Sequence, residues 1–166
     1  GGPKRDRRHP VHEMARPAEG RNQAGEDSPL TRSGLTSGES DSFKALVVSL
    51  ILDSKPEMAL EALCKNYGIE KPKLGVGVFK GRSKGVRAVY SLNRKEILAA
   101  KREYLYDPFV IIHEFYHHLR SVSGRHRGTE KQADMFALDY IDGYRRFVER
   151  VTSAESGRLA RRETST

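Results

Sequence analysis

Two stretches decide the fold: Asp107 to Leu119, which reads DPFVIIHEFYHHL, and Thr129 to Ala137, which reads TEKQADMFA. The first opens with an Asp-Pro pair. Asp is a good helix cap, and Pro is tolerated in the first turn, where its missing N–H has no intrahelical partner to lose. Phe109, Ile112, Phe115, Tyr116 and Leu119 then recur at helical spacing. The second stretch has Thr at the cap and Gln three residues on, the pattern of a capping box. From Ala133 through Phe136, Ala137, Tyr140, Ile141, Tyr144, Phe147 and Val148, an apolar stripe predicts a helix to about Val151. The connection Ser121–Gly128 is polar and holds two glycines, Gly124 and Gly128. A link this short returns the second helix alongside the first.

Working outward, Phe43–Asp53 (FKALVVSLILD) is apolar enough for a buried helix, although the β-branched pair Val47-Val48 leaves a strand open. Ser54 and Glu57 read as a further capping box, and Gly68 as the helix end that accepts a positive φ. Leu74, Val76 and Val78 alternate, residues 81–85 read as a turn, and Val86, Ala88 and Tyr90 alternate again. This predicts a β-hairpin. Glu96–Ala100 (EILAA) reads as a third short strand. The expected order is helix, helix, three strands, helix, helix, an α+β fold with a small three-stranded sheet.

Composition sets the boundaries. The chain has 166 residues and a formal net charge of +8. Residues 1–42 hold only Val11, Met14, Leu30 and Leu35 as large apolar side chains, too few to offset the entropy of ordering. They are expected to be a disordered polar segment. Residues 43–151 are expected to fold as one domain, and 152–166 to form a flexible tail. No apolar run is long enough for a transmembrane helix, and no secretory leader is visible, so a cytoplasmic setting is expected. Cys64, the single cysteine, excludes an internal disulfide framework and any cysteine-based zinc cage. It reads as a small buried hydrophobe.

The charge is concentrated. Residues 71–102 contain ten Lys and Arg against Glu96 alone. Lys80, Arg82, Lys84 and Arg87 crowd the expected hairpin tip. Nucleic-acid contact is one reading of this segment and an acidic peptide substrate is another. A solvated hairpin, protected by its charges from edge pairing, is the reading preferred here.

His113, Glu114 and His117 form an HExxH sequence inside a capped helix. Residues four apart are about 40° apart around a helix axis, so His113 and His117 project from one face and can share a zinc ion. Glu114 can then reach a metal-bound water as general base without ligating the metal. Glu130 lies thirteen residues after His117, in the first turn of the next helix. It is the expected third ligand, leaving a fourth position open for water. Asp134 shares its face and would accept the far N–H of a ligating histidine. Small Ala133 and Ala137 let the two helices approach. The competing reading of Glu130 is a solvated acidic residue at the positive end of a helix. His118 points roughly 100° away from His117 and reads as a surface or packing histidine.

The pair HEFYHHL and EKQADMFA resembles the gluzincin metallopeptidases, in particular the minigluzincins, and also the ImmA/IrrE-type peptidases. The resemblance implies one Zn²⁺ per chain held by His113, His117 and Glu130, with Glu114 as base and acid in peptide hydrolysis and a peptide or protein as substrate. It implies further that an extended substrate lies along the sheet edge, and that the C-terminal end can cover the cleft, with Glu155 or Glu163 in place of water. The HExxHxxGxxH pattern of metzincins fails at Arg120 and Ser123. The usual His or Tyr that steadies the oxyanion has candidates in Tyr104, Tyr106 and His126, the last also a rival third ligand. The alternative function is a non-catalytic, zinc-stabilised DNA-associated or regulatory protein.

Overall fold

The structure, a computed structural model, describes residues 39–80, 84–124 and 128–165. Among them are helices α1 (Asp41–Leu52) and α2 (Pro56–Tyr67), strands β1 (Lys73–Val76), β2 (Ala88–Ser91) and β3 (Glu96–Ala99), a 3-10 turn (Arg102–Tyr106), and helices α3 (Pro108–Val122) and α4 (Glu130–Glu163). The fold is α+β, in the expected order of helices and strands. The reading of residues 1–42 as disordered falls almost wholly outside the described residues. Its boundary moves, because Ser40 caps α1 by accepting from the Phe43 N–H at 3.2 Å, which puts Asp41 and Ser42 inside the helix.

The apolar segment 43–53 is helical. Val47, Val48 and Ile51 are fully buried against Leu60, Leu63, Ile111, Phe115, Phe136 and Tyr140. α4 packs along both α1 and α3. Beside α1, Lys44 is buried and reaches Asp139 at 2.9 Å, and Arg146 grips both oxygens of Asp41. Gly143 makes this close approach possible: a Cβ there would lie 2.5 Å from Cδ of Lys44.

Three local expectations are corrected. Ser54 does not cap α2. It sits at a φ of 62°, Lys55 takes the cap position without a side-chain bond, and Pro56 occupies the first turn. The missing N–H of Pro56 removes one of the donors a cap would serve. The expected hairpin between β1 and β2 is also absent, because the sheet order is β1-β3-β2. β3 runs parallel to β1 and antiparallel to β2, with Leu74 opposite Ile97 and Tyr90 opposite Ile97 on the other side. The real hairpin joins β2 to β3 through residues 92–95, where Lys95 takes a φ of 48°. β3 is the central strand, hydrogen-bonded on both edges, and its Ile97 and Ala99 are fully buried on one face of the sheet.

The third correction concerns the end of the chain. α4 does not stop near Val151 but continues to Glu163, exposed throughout its last turns. Extending an existing helix adds one hydrogen bond per residue without a new nucleation step. Residues 152–163 need no buried stripe for that, and the apolar pattern gave no sign of it. At 1.5 Å per residue, Glu155 lies about 37 Å and Glu163 about 50 Å along the axis from Glu130. Neither carboxylate covers the cleft in this arrangement. No helix among the described residues is long and apolar enough to cross a membrane.

Candidate metal centre

α3 is fixed at its start by Asp107, whose Oδ1 accepts from the N–H groups of Phe109 and Val110. Its inner face buries Ile111, Ile112, Phe115 and Leu119 in the core. That rotation turns His113, Glu114 and His117 toward the start of α4. α4 is set by the expected capping box: the Gln132 N–H donates to Thr129 Oγ1 at 3.1 Å, and the Thr129 N–H donates back to Gln132 Oε1 at 3.2 Å. Tyr116 ties the two helices together, donating to the same Gln132 oxygen at 3.3 Å. Gly128 leads into the cap at a φ of 78°, and a Cβ there would lie 2.7 Å from the Tyr116 ring. Both the backbone conformation and the ring require glycine. Ala133 and Ala137, fully buried, face α3 and allow the approach.

The result is convergence. Nε2 of His113 lies 2.9 Å from Oε2 of Glu130, and Nε2 of His117 lies 3.1 Å from Oε1 of the same carboxylate. The three side chains offer ligand atoms that all fall within 4.8 Å of one another. On the far side, His113 Nδ1 meets Asp134 Oδ1 at 2.9 Å. A carboxylate can only accept, so Asp134 fixes the His113 proton on Nδ1. In the neutral imidazole, Nε2 is then a bare lone pair facing the Glu130 oxygen. Two acceptors this close need a cation or a proton between them.

A tetrahedral zinc site with bonds of about 2.0–2.1 Å has ligand atoms about 3.3 Å apart. The separations of 2.9 and 3.1 Å lie close to that spacing, and the donor set of two imidazoles and one carboxylate suits zinc. The residues fit such an ion. His117 is buried, His113 nearly so, whereas the Glu130 side chain is 71% exposed, so the cluster opens to solvent on the α4 side. Glu114 is buried beside it, with Oε1 4.0 Å from His113 Nε2. A cleft of about 400 Å³ adjoins the cluster, and Arg87, Ala88, Phe109, His113, Glu114 and Glu130 are among its lining residues.

The other expected residues fall elsewhere. Tyr104 packs with Leu105 on Ala88, Ala99 and Val110, and neither it nor Tyr106 lines the cleft. His126 lies outside the described residues. His118 is not a surface residue: it is fully buried, with Nε2 2.8 Å from the Glu70 carbonyl and Nδ1 2.9 Å from the Tyr90 hydroxyl. The carbonyl must accept, so Nε2 carries the proton and the Tyr90 hydroxyl donates to Nδ1. Burial holds this imidazole below the ordinary histidine range, in keeping with the neutral form. His118 thus links α3 to β2 and to the end of α2. Part of the basic excess is met locally, since Lys71 pairs with Glu57 at 2.8 Å. Lys80, Lys84 and Arg87 are exposed, and Arg82 lies outside the described residues.

The sequence alone singled out the three clustered residues His113, His117 and Glu130, together with Asp134, but not Arg87 as a cleft residue, nor the Tyr116–Gln132 link. The Gly128-Thr129 pair preceding Glu130 was the available signal for the link. Comparison of the chain with protein-family models, curated proteins and solved structures finds no match.

Proposed function

We propose that the chain is a small zinc-dependent peptidase of gluzincin type, working in the cytoplasm on a peptide or protein substrate. The observation that carries this reading is the meeting of His113, His117 and Glu130 at one point, with the carboxylate of Glu114 buried at the same cleft. A zinc ion held by these three residues would supply Lewis acidity and lower the pKa of its coordinated water to about 7.

The chain's own part follows from its geometry. Asp134 holds His113 with its proton on Nδ1, leaving Nε2 free to ligate. Glu114 takes a proton from the attacking water and later delivers it to the departing amine nitrogen. The Glu114 side chain is buried in the cleft wall, which limits its contact with bulk water. β2 is an outer strand of the sheet and Ala88 lines the cleft, so an extended peptide would lie along it. The free, buried Cys64 is compatible with a reducing compartment.

The test is Glu114→Gln. A peptidase loses hydrolysis of an unfolded protein substrate by several powers of ten while keeping its metal. A protein that uses the ion only for structure or DNA association shows no turnover to lose, and the reading falls.

A further inference from the structure

We propose that Arg87 selects peptides bearing a carboxylate, by pairing with that group in the cleft beside His113. This rests on the peptidase reading and adds a substrate class to it.

Among the described residues, Arg87 is the one Lys or Arg side chain that lines the cleft. Its position is held from two sides. Nη1 lies 3.7 Å from Asp107 Oδ2, and the guanidinium stands over the Tyr104 ring at 5.9 Å from its centroid. The first separation is an ion pair but too long for a hydrogen bond, so it leaves the guanidinium donors available. The second is a cation–π contact, which engages the guanidinium without using an N–H. Asp107 meanwhile spends its other oxygen on capping α3. One carboxylate therefore sets both the helix bearing His113 and the direction of Arg87.

The side chain of Arg87 is 59% exposed, so an incoming group can reach it. An exposed ion pair such as Arg87–Asp107 contributes little to stability, and a stabilising role does not account for the arrangement well. Guanidinium presents parallel donors that match both oxygens of a carboxylate. Charge points the same way. With a dication at the His113 cluster, the charges of the lining carboxylates Glu114 and Glu130 are offset, so among the described lining residues no uncompensated carboxylate competes for Arg87. Lys80 and Lys84, exposed on the same basic segment, extend its field for an approaching anion. Phe109, half-buried in the cleft wall, offers an apolar surface beside the ionic contact.

A peptide has two sources of carboxylate: an Asp or Glu side chain, or its own C-terminus. The experiment separates them. Full-length, zinc-loaded Glu114→Gln protein is titrated into short fluorescein-labelled peptides in three sets. One carries a single Glu with an amidated C-terminus, one carries Gln there instead, and one carries Gln with a free C-terminus. Binding is read by anisotropy. The Glu set or the free-acid set should bind at least about 10-fold more tightly than the Gln amides, as expected for charge-assisted hydrogen bonds. Adding Arg87→Gln should erase the difference with unchanged zinc content and circular dichroism, and Arg87→Lys should keep part of it. Equal binding of all three sets, or a preference that survives Arg87→Gln, overturns the assignment. The peptidase reading is judged separately, by whether the chain with Glu114 intact hydrolyses an unfolded protein. Hydrolysis without carboxylate preference removes the role of Arg87 alone.

Discussion

Asp134 Oδ1 accepts from Nδ1 of His113 at 2.9 Å, across the gap between two separately capped helices. The contact orients the imidazole so that its other nitrogen faces Glu130 and His117. Removing the carboxylate should leave the fold intact, because Asp134 is half exposed on α4. Asp134→Ala should weaken zinc affinity by roughly 10–100-fold, the usual effect of losing a group that orients a ligand. Competition with a chromophoric chelator measures it, with circular dichroism as the control. Unchanged affinity would reduce Asp134 to a surface residue.

Gly128 offers a test of how the second helix is placed. Gly128→Ala puts a methyl group against the Tyr116 ring at a positive φ, so the cap at Thr129 must shift. Stability should fall by about 1–3 kcal/mol in chemical denaturation, and zinc affinity should fall with it, because Glu130 directly follows that cap. A variant with wild-type affinity would show that the α4 start is adjustable.

Tyr90→Phe removes the hydroxyl that donates to His118 Nδ1 and leaves a buried acceptor without its partner. The expected loss is about 1–3 kcal/mol of folding stability with no change in zinc stoichiometry. A loss of metal with no loss of stability would mean that His118 belongs to the site rather than to the frame behind it.

Burial pushes the Cys64 thiol up to about 11. At pH 8 the thiolate fraction is then about 100-fold below that of an unfolded thiol near 9, before access is considered. A thiol reagent at pH 8 should modify the native protein at least about 100-fold more slowly than the protein in denaturant. Equal rates would mean that α2 opens readily.

The two helices that carry the site were legible because their signals are local. Asp107-Pro108 and Thr129–Gln132 each mark a helix start within four residues, and the His113/His117 spacing needs only helical geometry. Strand pairing was not legible. β1 and β2 both alternate and a turn-rich segment separates them, yet nothing local says that Glu96–Ala99 inserts between them. The burial of Ile97 and Ala99 is a tertiary fact. His118 was left open between surface and packing for a related reason. Helical geometry gives the direction in which it points but not that β2 covers that direction. Arg87 was counted as one charge among many, since only the fold brings the start of β2 against α3. The last turns of α4 carry no apolar stripe, and so left no pattern to read.

That extension bears on regulation. A chain ending at Val151 lacks only an exposed helical segment about 30 Å or more along α4 from Glu130. It should therefore bind zinc and hydrolyse an unfolded protein as the full chain does. A several-fold gain on truncation would restore the idea of a covering tail.

The most direct measurement is the metal content of the purified full-length protein after zinc loading and desalting, read by elemental analysis beside His113→Ala, His117→Ala and Glu130→Ala. The account predicts one zinc per chain for the wild type and far less for each variant, with the fold checked by circular dichroism. Wild-type protein that retains no zinc, or Glu130→Ala protein that retains as much as wild type, would contradict it.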